Sequence, residues 1–112
     1  MKISEIKTQD WASQLNKISK TLENRDVNIE VFGMDVGAQL QVDSVHLKGL
    51  TYDTRDDVVE ISLDNYQHII PQPTAIYMTS ENDSIESIQS IEFVDGRDRK
   101  QLLTFVEPLL LA

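Results

Sequence analysis

The two histidines, His46 and His68, are the first residues to test for chemistry, because the chain contains no cysteine. His68 lies in the segment Tyr66–Pro73, which also holds two of the three prolines. A general base needs an orienting carboxylate and a reacting group within reach. Asp64 is four residues away, about 13 Å along an extended chain, and is too distant for direct contact. We therefore interpret His68 first as a structural residue, and second as a binding residue beside a nearby carboxylate.

Other arrangements of reactive residues do not form a recognisable site. Two imidazoles exclude a three-histidine metal centre, and nothing in their spacing predicts that they converge on one ion. Asp53, Asp56 and Asp57 lack the alternating pattern and closing glutamate of a calcium loop. Ser44 and His46 lack the glycine-flanked elbow of a nucleophilic serine. We therefore predict no catalytic residue, no metal and no cofactor.

Charge is the strongest global feature of the sequence. The formal net charge is −9, and residues 26–96 carry fourteen acidic residues against two basic ones, Lys48 and Arg55. So acidic a surface repels phosphate backbones and anionic membranes, and we expect neither nucleic acid nor a membrane as a partner. Solubility is the simplest role for this charge. The alternative is an acidic decoy for a basic or nucleic-acid-binding partner.

The length of 112 residues predicts a single domain, residues 1–112, with one hydrophobic core. No apolar run approaches the roughly 18 residues that span a bilayer, and the first residues lack the apolar region of a signal peptide. The absence of cysteine fits a reducing compartment. We expect a cytoplasmic protein.

The periodicity of apolar residues predicts one helix followed by strands. Residues 9–24 form the helix, with Trp11, Leu15, Ile18 and Leu22 on one stripe. From residue 27 the apolar residues alternate, which indicates short strands separated by turns. The predicted strands are residues 27–32, 38–43, 45–52, 59–63, 74–79, 91–93 and 101–106.

These elements predict an α+β fold, with the N-terminal helix packed on a curved antiparallel sheet of six to seven short strands. Such a sheet would form a small barrel or half-barrel, and its apolar face would be covered by the helix stripe. Pro71 and Pro73 lack the backbone N–H of a central strand, so they belong at a sheet edge or between strands. We interpret the segment around them as the end of one strand and an extended crossover to the next.

Three consecutive leucines, Leu109, Leu110 and Leu111, follow Pro108 at the C-terminal end. They suit neither a solvated tail nor a strand with one wet face. We favour a role in covering one end of the core. The alternative is an exposed contact for a second copy or another protein, because such patches usually mark association.

Four short runs resemble a bacterial family of small acidic proteins of unknown function. Ile29–Gln39 fits its pattern V-x-V-x-G-x-D-x-G-A-Q with isoleucine in the first position. The other three runs are Leu47–Gly49, the histidine shortly before a proline at His68–Pro71, and the late Asp-Gly run Ile91–Gly96. The resemblance extends over most of the chain, and the Gly-x-Asp-x-Gly-Ala-Gln run is its most specific part.

The resemblance implies a bacterial cytosolic protein and brings no assigned activity. It makes Gly33, Asp35, Gly37, Gln39 and His68 the positions of interest. A tight left-handed turn would explain the two glycines. The three other residues, Asp35, Gln39 and His68, are the candidate binding residues.

The function that this sequence favours is a small, non-enzymatic, protein-binding or regulatory module. Its partner would be another protein or a second copy, bound through a sheet edge or the C-terminal leucines. The main alternative is a small-ligand-binding or weakly catalytic site that uses His68 with a nearby carboxylate. The acidic decoy is the third hypothesis.

Overall fold

A computed structural model describes residues 2–21, 25–80 and 87–110. Of residue 110 only the backbone is described. This part of the chain contains one α-helix, preceded by a single turn of 3-10 helix at Thr8–Asp10, and eight β-strands. The elements are β1 Lys2–Ile6, α1 Trp11–Lys20, β2 Arg25–Gly33, β3 Gly37–Asp53, β4 Val58–Leu63, β5 Gln67–Pro71, β6 Ala75–Ser80, β7 Ser87–Val94 and β8 Lys100–Leu110.

The eight strands form one antiparallel sheet in the order β1-β6-β7-β8-β2-β3-β4-β5. The predicted arrangement of one helix on an antiparallel sheet is confirmed, and the predicted strand number is one or two too low. Of the two predicted shapes, barrel and half-barrel, the closed barrel is wrong. A barrel closes only when its outermost strands pair, and within the described residues β1 pairs with β6 alone and β5 with β4 alone.

Both strands that the sequence analysis missed, β1 and β5, are at the sheet edges. We predicted a strand end and crossover around Pro71, whereas Gln67–Pro71 is a complete strand paired with Ser62 through Val58. Pro71 is tolerated because it ends an edge strand, where one missing N–H interrupts no central ladder. The expectation that the prolines lie at an edge or between strands is confirmed.

The long strand β3 was predicted as two strands that divide near Ser44. Ser44 has a left-handed backbone, φ 54°, and the pairing register with β2 shifts between Val27 and Ile29. The side chain of Asn28 accepts a hydrogen bond from the Ser44 amide at 2.7 Å. This is a β-bulge, which bends the strand without ending it. In the sequence, a bulge interrupts the alternation of apolar and polar residues in the same way as a turn, so one bent strand looks like two.

The helix covers the apolar face of the sheet as predicted. Trp11, Leu15 and Ile18 are buried in the core, while Leu22 lies outside the described residues. The α-helix begins at Trp11, later than the predicted residue 9, and ends at Lys20. No helix in the described part of the chain has the length and apolar character needed to cross a bilayer.

The C-terminal leucines divide between the described and undescribed parts of the chain. Leu109 is only 1% exposed, lies in the core cluster and pairs with Ile88 on β7. The favoured interpretation, that the leucines cover the core, is therefore correct for Leu109, and an exposed contact there is wrong. The backbone of Leu110 pairs with Ser87, and Leu111 lies outside the described residues.

Candidate functional site

A cleft of about 330 Å³ opens where the edge strand β5 approaches two turns, the β2–β3 turn and the β7–β8 turn. The sheet brings these distant segments together, since the Pro71 carbonyl accepts a hydrogen bond from the Gly96 amide at 3.3 Å. The cleft is lined by Val31, Val36, Gln39, Gln41, His68, Ile69, Pro71, Asp95, Arg97, Arg99 and Gln101.

Asp95 organises the β7–β8 turn from within the protein. Its side chain is almost wholly buried, and its Oδ1 accepts hydrogen bonds from the backbone amides of Arg97 at 2.9 Å and Arg99 at 3.0 Å. Its Oδ2 accepts a third bond, at 3.0 Å, from the side-chain amide of Gln101. A buried carboxylate is tolerated when its oxygens are hydrogen-bonded in this way.

Gln101 links that carboxylate to His68. Its Oε1 is 2.5 Å from His68 Nε2, and the Gln101 side chain is also buried. An ionised carboxylate only accepts hydrogen bonds, so the NH₂ group of Gln101 faces Asp95 and its carbonyl faces His68. His68 Nε2 must therefore carry the hydrogen. In the neutral ring Nδ1 is then an acceptor, and it has no hydrogen-bond partner among the described residues.

A pair of oppositely charged side chains joins the two turns beside the cleft. Arg99 donates from Nε and Nη2 to both carboxylate oxygens of Asp35, with Nη2–Oδ2 at 2.5 Å. These hydrogen bonds lower the pKa of Asp35 below its usual value and raise the pKa of Arg99. The pair holds the β2–β3 turn against the β7–β8 turn.

Glycines make the close approach of these segments feasible, and only one of them needs a left-handed backbone. Gly37 has φ 68°, as the tight-turn explanation requires. For Gly33 that explanation is wrong, because its backbone is not left-handed. Its role is to leave space, since a Cβ would lie 2.9 Å from Asp35 Oδ1 and 3.0 Å from Arg99 Cγ. At Gly96 a Cβ would lie 2.7 Å from Gln72 Oε1. Gly33 and Gly96 therefore provide space beside the cleft.

The three candidate binding residues lie in the same region of the molecule. Gln39 and His68 line the cleft. Asp35 forms a salt bridge with Arg99, which also lines the cleft. That they bind a ligand stays a prediction. The sequence analysis missed Asp95 and Gln101, although the Asp-Gly turn and the cluster of basic residues after it were visible signals.

The other residues considered for chemistry lie elsewhere. His46 Nδ1 contacts Asp26 Oδ1 between the paired strands β3 and β2, so the two imidazoles have different partners. Asp53 accepts bonds from the backbone amides of Arg55 and Asp56, an arrangement typical of a turn. Among the described residues no group of three or more His, Asp or Glu side chains could hold a metal.

Comparison with known proteins identifies the family. Residues 2–112 match the family of unknown function DUF5335. The chain belongs to this family. An uncharacterised protein of Aquifex aeolicus (strain VF5) is 33% identical over 88 residues, which cover 78% of this chain and 79% of that protein. No solved structure matches the chain. The resemblance to a family of unknown function is thereby confirmed.

In this DUF5335 protein the cleft differs electrostatically from the rest of the chain. Arg97 and Arg99 line it, whereas residues 26–96 have only two basic residues. Arg99 is neutralised by Asp35, and Arg97 forms no salt bridge within the described residues. The cleft therefore presents a cation, a fixed imidazole and glutamine amides to any molecule that enters it.

Proposed function

We propose that this protein is a small binding module whose cleft takes a small anionic molecule. The observation that carries the proposal is the convergence of two cationic side chains, Arg97 and Arg99, on one cleft beside the fixed imidazole of His68. The net charge of −9 makes the convergence informative, because arginines gathered at one place on an acidic protein can attract an anion only locally and not through the overall charge.

The shape of the cleft supports a small ligand. Its volume of about 330 Å³ is at the lower end of the range found for small-molecule sites. Its lining combines four apolar residues with seven polar or charged ones, so it is more polar than most small-molecule sites and offers several groups that could orient a ligand. The lining includes no hydroxyl, thiol or amine side chain from the described residues. The lining residues of other nucleophilic types, His68 and Asp95, are both hydrogen-bonded to Gln101, which favours binding over covalent catalysis.

Each candidate binding residue has a distinct role in this proposal. His68 is held by Gln101 at Nε2, so its ring forms a fixed wall of the cleft, and its Nδ1, an acceptor in the neutral ring, does not hydrogen-bond to an anionic group. Gln39 offers a side-chain amide from β3, on the opposite wall. Asp35 positions the guanidinium of Arg99. We further propose that the module works in the bacterial cytoplasm, which the family resemblance and the cysteine-free sequence support.

Anion titrations followed by NMR test the proposal. Inorganic phosphate, acetate and benzoate are added to the wild-type protein, and the resonances of His68 and Gln101 are monitored. We expect at least one anion to shift them, and Arg97→Gln to weaken that binding about tenfold or more, as for a hydrogen bond to a charged group. The matched control is Arg55→Gln, since Arg55 is exposed on the β3–β4 turn and its loss changes net charge equally. No shift with any anion, or an equal loss in the control, would exclude the site.

A second candidate function is self-association through β5. This strand is a sheet edge without charged residues, and Tyr66 and Ile69 beside its free side are 47% and 43% exposed. Uncharged edge strands with exposed apolar side chains readily pair with another strand. The proposed occupant is β5 of a second copy, because two identical strands without charged residues place no like charges opposite each other in the new pairing.

The oligomeric state in solution tests this second candidate. Light scattering after size-exclusion chromatography should show a dimer for the wild type and a monomer for Ile69→Lys. Ile3→Lys is the matched control, since Ile3 is exposed on the other edge strand, β1. A monomeric wild type, or a dimer lost only in the control, would refute association through β5.

A further inference from the structure

We infer that the preferred ligand is a small apolar monocarboxylic acid, and that Asp35 competes with its carboxylate for Arg99. This inference rests on the proposed anion-binding function and specifies its ligand class and its regulation. It also assigns a role to the β2–β3 turn, residues 34–36, as a latch that the ligand displaces.

The contact between Asp35 and Arg99 shows which chemical group fits this guanidinium. Oδ2 accepts from Nε at 3.1 Å and from Nη2 at 2.5 Å, while Oδ1 accepts from Nε alone at 3.3 Å, so Asp35 does not use the two donors as a parallel pair. A planar carboxylate satisfies two parallel N–H donors of arginine at once. A ligand carboxylate in the same position would replace these hydrogen bonds with equivalent ones. The exchange would therefore leave no unpaired charge on Arg99.

The Asp35 side chain is placed so that a ligand can displace it from Arg99. Its side chain is 56% exposed, whereas that of Arg99 is 26% exposed, so the arginine belongs to the cleft and the aspartate to the surface. Asp35 lies in the turn between β2 and β3, next to the fully exposed Met34. Ion pairs between exposed side chains contribute little free energy. A ligand with further contacts in the cleft can therefore outcompete it.

The charges around the cleft favour a monoanion. Arg97 and Arg99 contribute two positive charges and the buried Asp95 one negative charge, which leaves one positive charge once Asp35 withdraws. A carboxylate carries one negative charge, whereas a phosphate monoester carries about 1.5 to 2 at neutral pH. A monocarboxylate therefore neutralises the site without excess charge beside Asp95.

The remaining lining of the cleft specifies the rest of the ligand. Val31, Val36, Ile69 and Pro71 supply apolar surface. Such surface stabilises an apolar body by burial, and a cleft of about 330 Å³ admits only a small one. A carboxylate attached to an aromatic ring or a branched aliphatic group matches both requirements.

Competition by Asp35 can be measured with benzoate as the probe. The dissociation constants of benzoate, inorganic phosphate and benzylamine are determined by NMR for the wild type, Asp35→Asn and Arg99→Gln. We expect benzoate to bind more tightly than phosphate, benzylamine not to bind, and Arg99→Gln to abolish benzoate binding. Asp35→Asn should tighten benzoate binding about two- to fivefold, the range expected when an exposed ion pair no longer competes.

A matched control separates competition from overall charge. Asp56→Asn removes one negative charge from the exposed β3–β4 turn and should leave benzoate binding unchanged. Circular dichroism confirms that each variant is folded before binding is compared.

The outcomes distinguish this inference from the proposed function. Phosphate binding without benzoate binding would refute the carboxylate class and leave the anion site intact. Benzoate binding that Asp35→Asn leaves unchanged or weakens would refute competition by Asp35. Equal tightening in Asp56→Asn would assign the effect to net charge and also refute it. Failure of every anion to bind would overturn both proposals.

Discussion

The hydroxyl group of Ser19 binds both backbone polar groups of Leu50. Ser19 Oγ donates to the Leu50 carbonyl at 2.6 Å and accepts from the Leu50 amide at 2.7 Å. The described part of β2 begins at Arg25, opposite Leu47, so Leu50 lies beyond the end of that strand. The helix side chain therefore supplies the hydrogen bonds that a neighbouring strand would provide, and it fixes α1 on β3.

Replacing Ser19 by alanine should lower the free energy of unfolding. Two backbone groups in a partly buried place would lose their partner, and an unsatisfied buried group costs about 1–3 kcal/mol of unfolding free energy. Urea unfolding monitored by circular dichroism measures the change. Ser13→Ala is the control, because the Ser13 hydroxyl is exposed and bonds only within its own helix turn. Equal stability of the two variants would contradict the prediction.

The helix and its buried face were predictable because they depend on local spacing. Trp11, Leu15 and Ile18 recur at helical intervals, and any surface that covers one of them covers all three. Most strands were predictable for the same reason. The division of β3 was wrong because the bulge at Ser44 depends on the Asn28 side chain from another strand.

The cleft was less predictable, because its residues converge only through the order of the strands. His68 is on β5 and its partner Gln101 is on β8, and three strands lie between β5 and β8 in the sheet. The sequence analysis considered Asp64 as the neighbouring acid of His68, whereas the acid linked to it is Asp95. Local periodicity predicts which face of a strand is buried. It does not predict which distant turn that face meets.

Trp11 anchors the helix to the edge strand β1 and to β3. Its ring is buried, Nε1 donates to the Ile6 carbonyl at 3.0 Å, and Tyr52 packs edge-to-face at a centroid distance of 5.2 Å. Trp11→Ala should reduce the free energy of unfolding by about 3–5 kcal/mol. Trp11→Phe keeps much of the apolar volume and loses the hydrogen bond, so its loss should be smaller. Chemical denaturation measures both, and a loss below about 1 kcal/mol for the alanine variant would contradict a core role.

Leu109 provides a test of the C-terminal segment. It is in the core cluster, so Leu109→Ala should reduce the free energy of unfolding by about 2–5 kcal/mol. Val106→Ala is a matched control on the same strand, because Val106 is 52% exposed and its truncation should cost little. Similar melting temperatures for the wild type and Leu109→Ala would place that side chain outside the core.

Tyr52 and Asp57 predict a dependence on alkaline pH. The Tyr52 hydroxyl donates to Asp57 Oδ1 at 2.7 Å, and this hydrogen bond raises the pKa of Tyr52 above its usual value of about 10. A raised pKa in the folded state means that the contribution to stability is complete below pH of about 10 and is lost as the pH rises through the folded value. Titration of the phenol by ultraviolet absorbance should show that Tyr52 ionises at a higher pH in the wild type than in Asp57→Asn. An unchanged titration would mean that the hydrogen bond does not hold the proton.

The linkage from Asp95 through Gln101 to His68 predicts one tautomer. Long-range nitrogen–proton NMR spectra should show the hydrogen of the neutral His68 ring on Nε2, because Gln101 presents its carbonyl there. Gln101→Leu removes both hydrogen bonds, so the two His68 tautomers should mix and the free energy of unfolding should fall by about 1–3 kcal/mol, since Asp95 Oδ2 loses a donor. Gln41→Leu is the control, because Gln41 lines the same cleft but is exposed and contacts neither residue through a hydrogen bond. A hydrogen found on Nδ1 of the wild-type protein would contradict the assigned direction of the linkage, and Nδ1 would then be a donor.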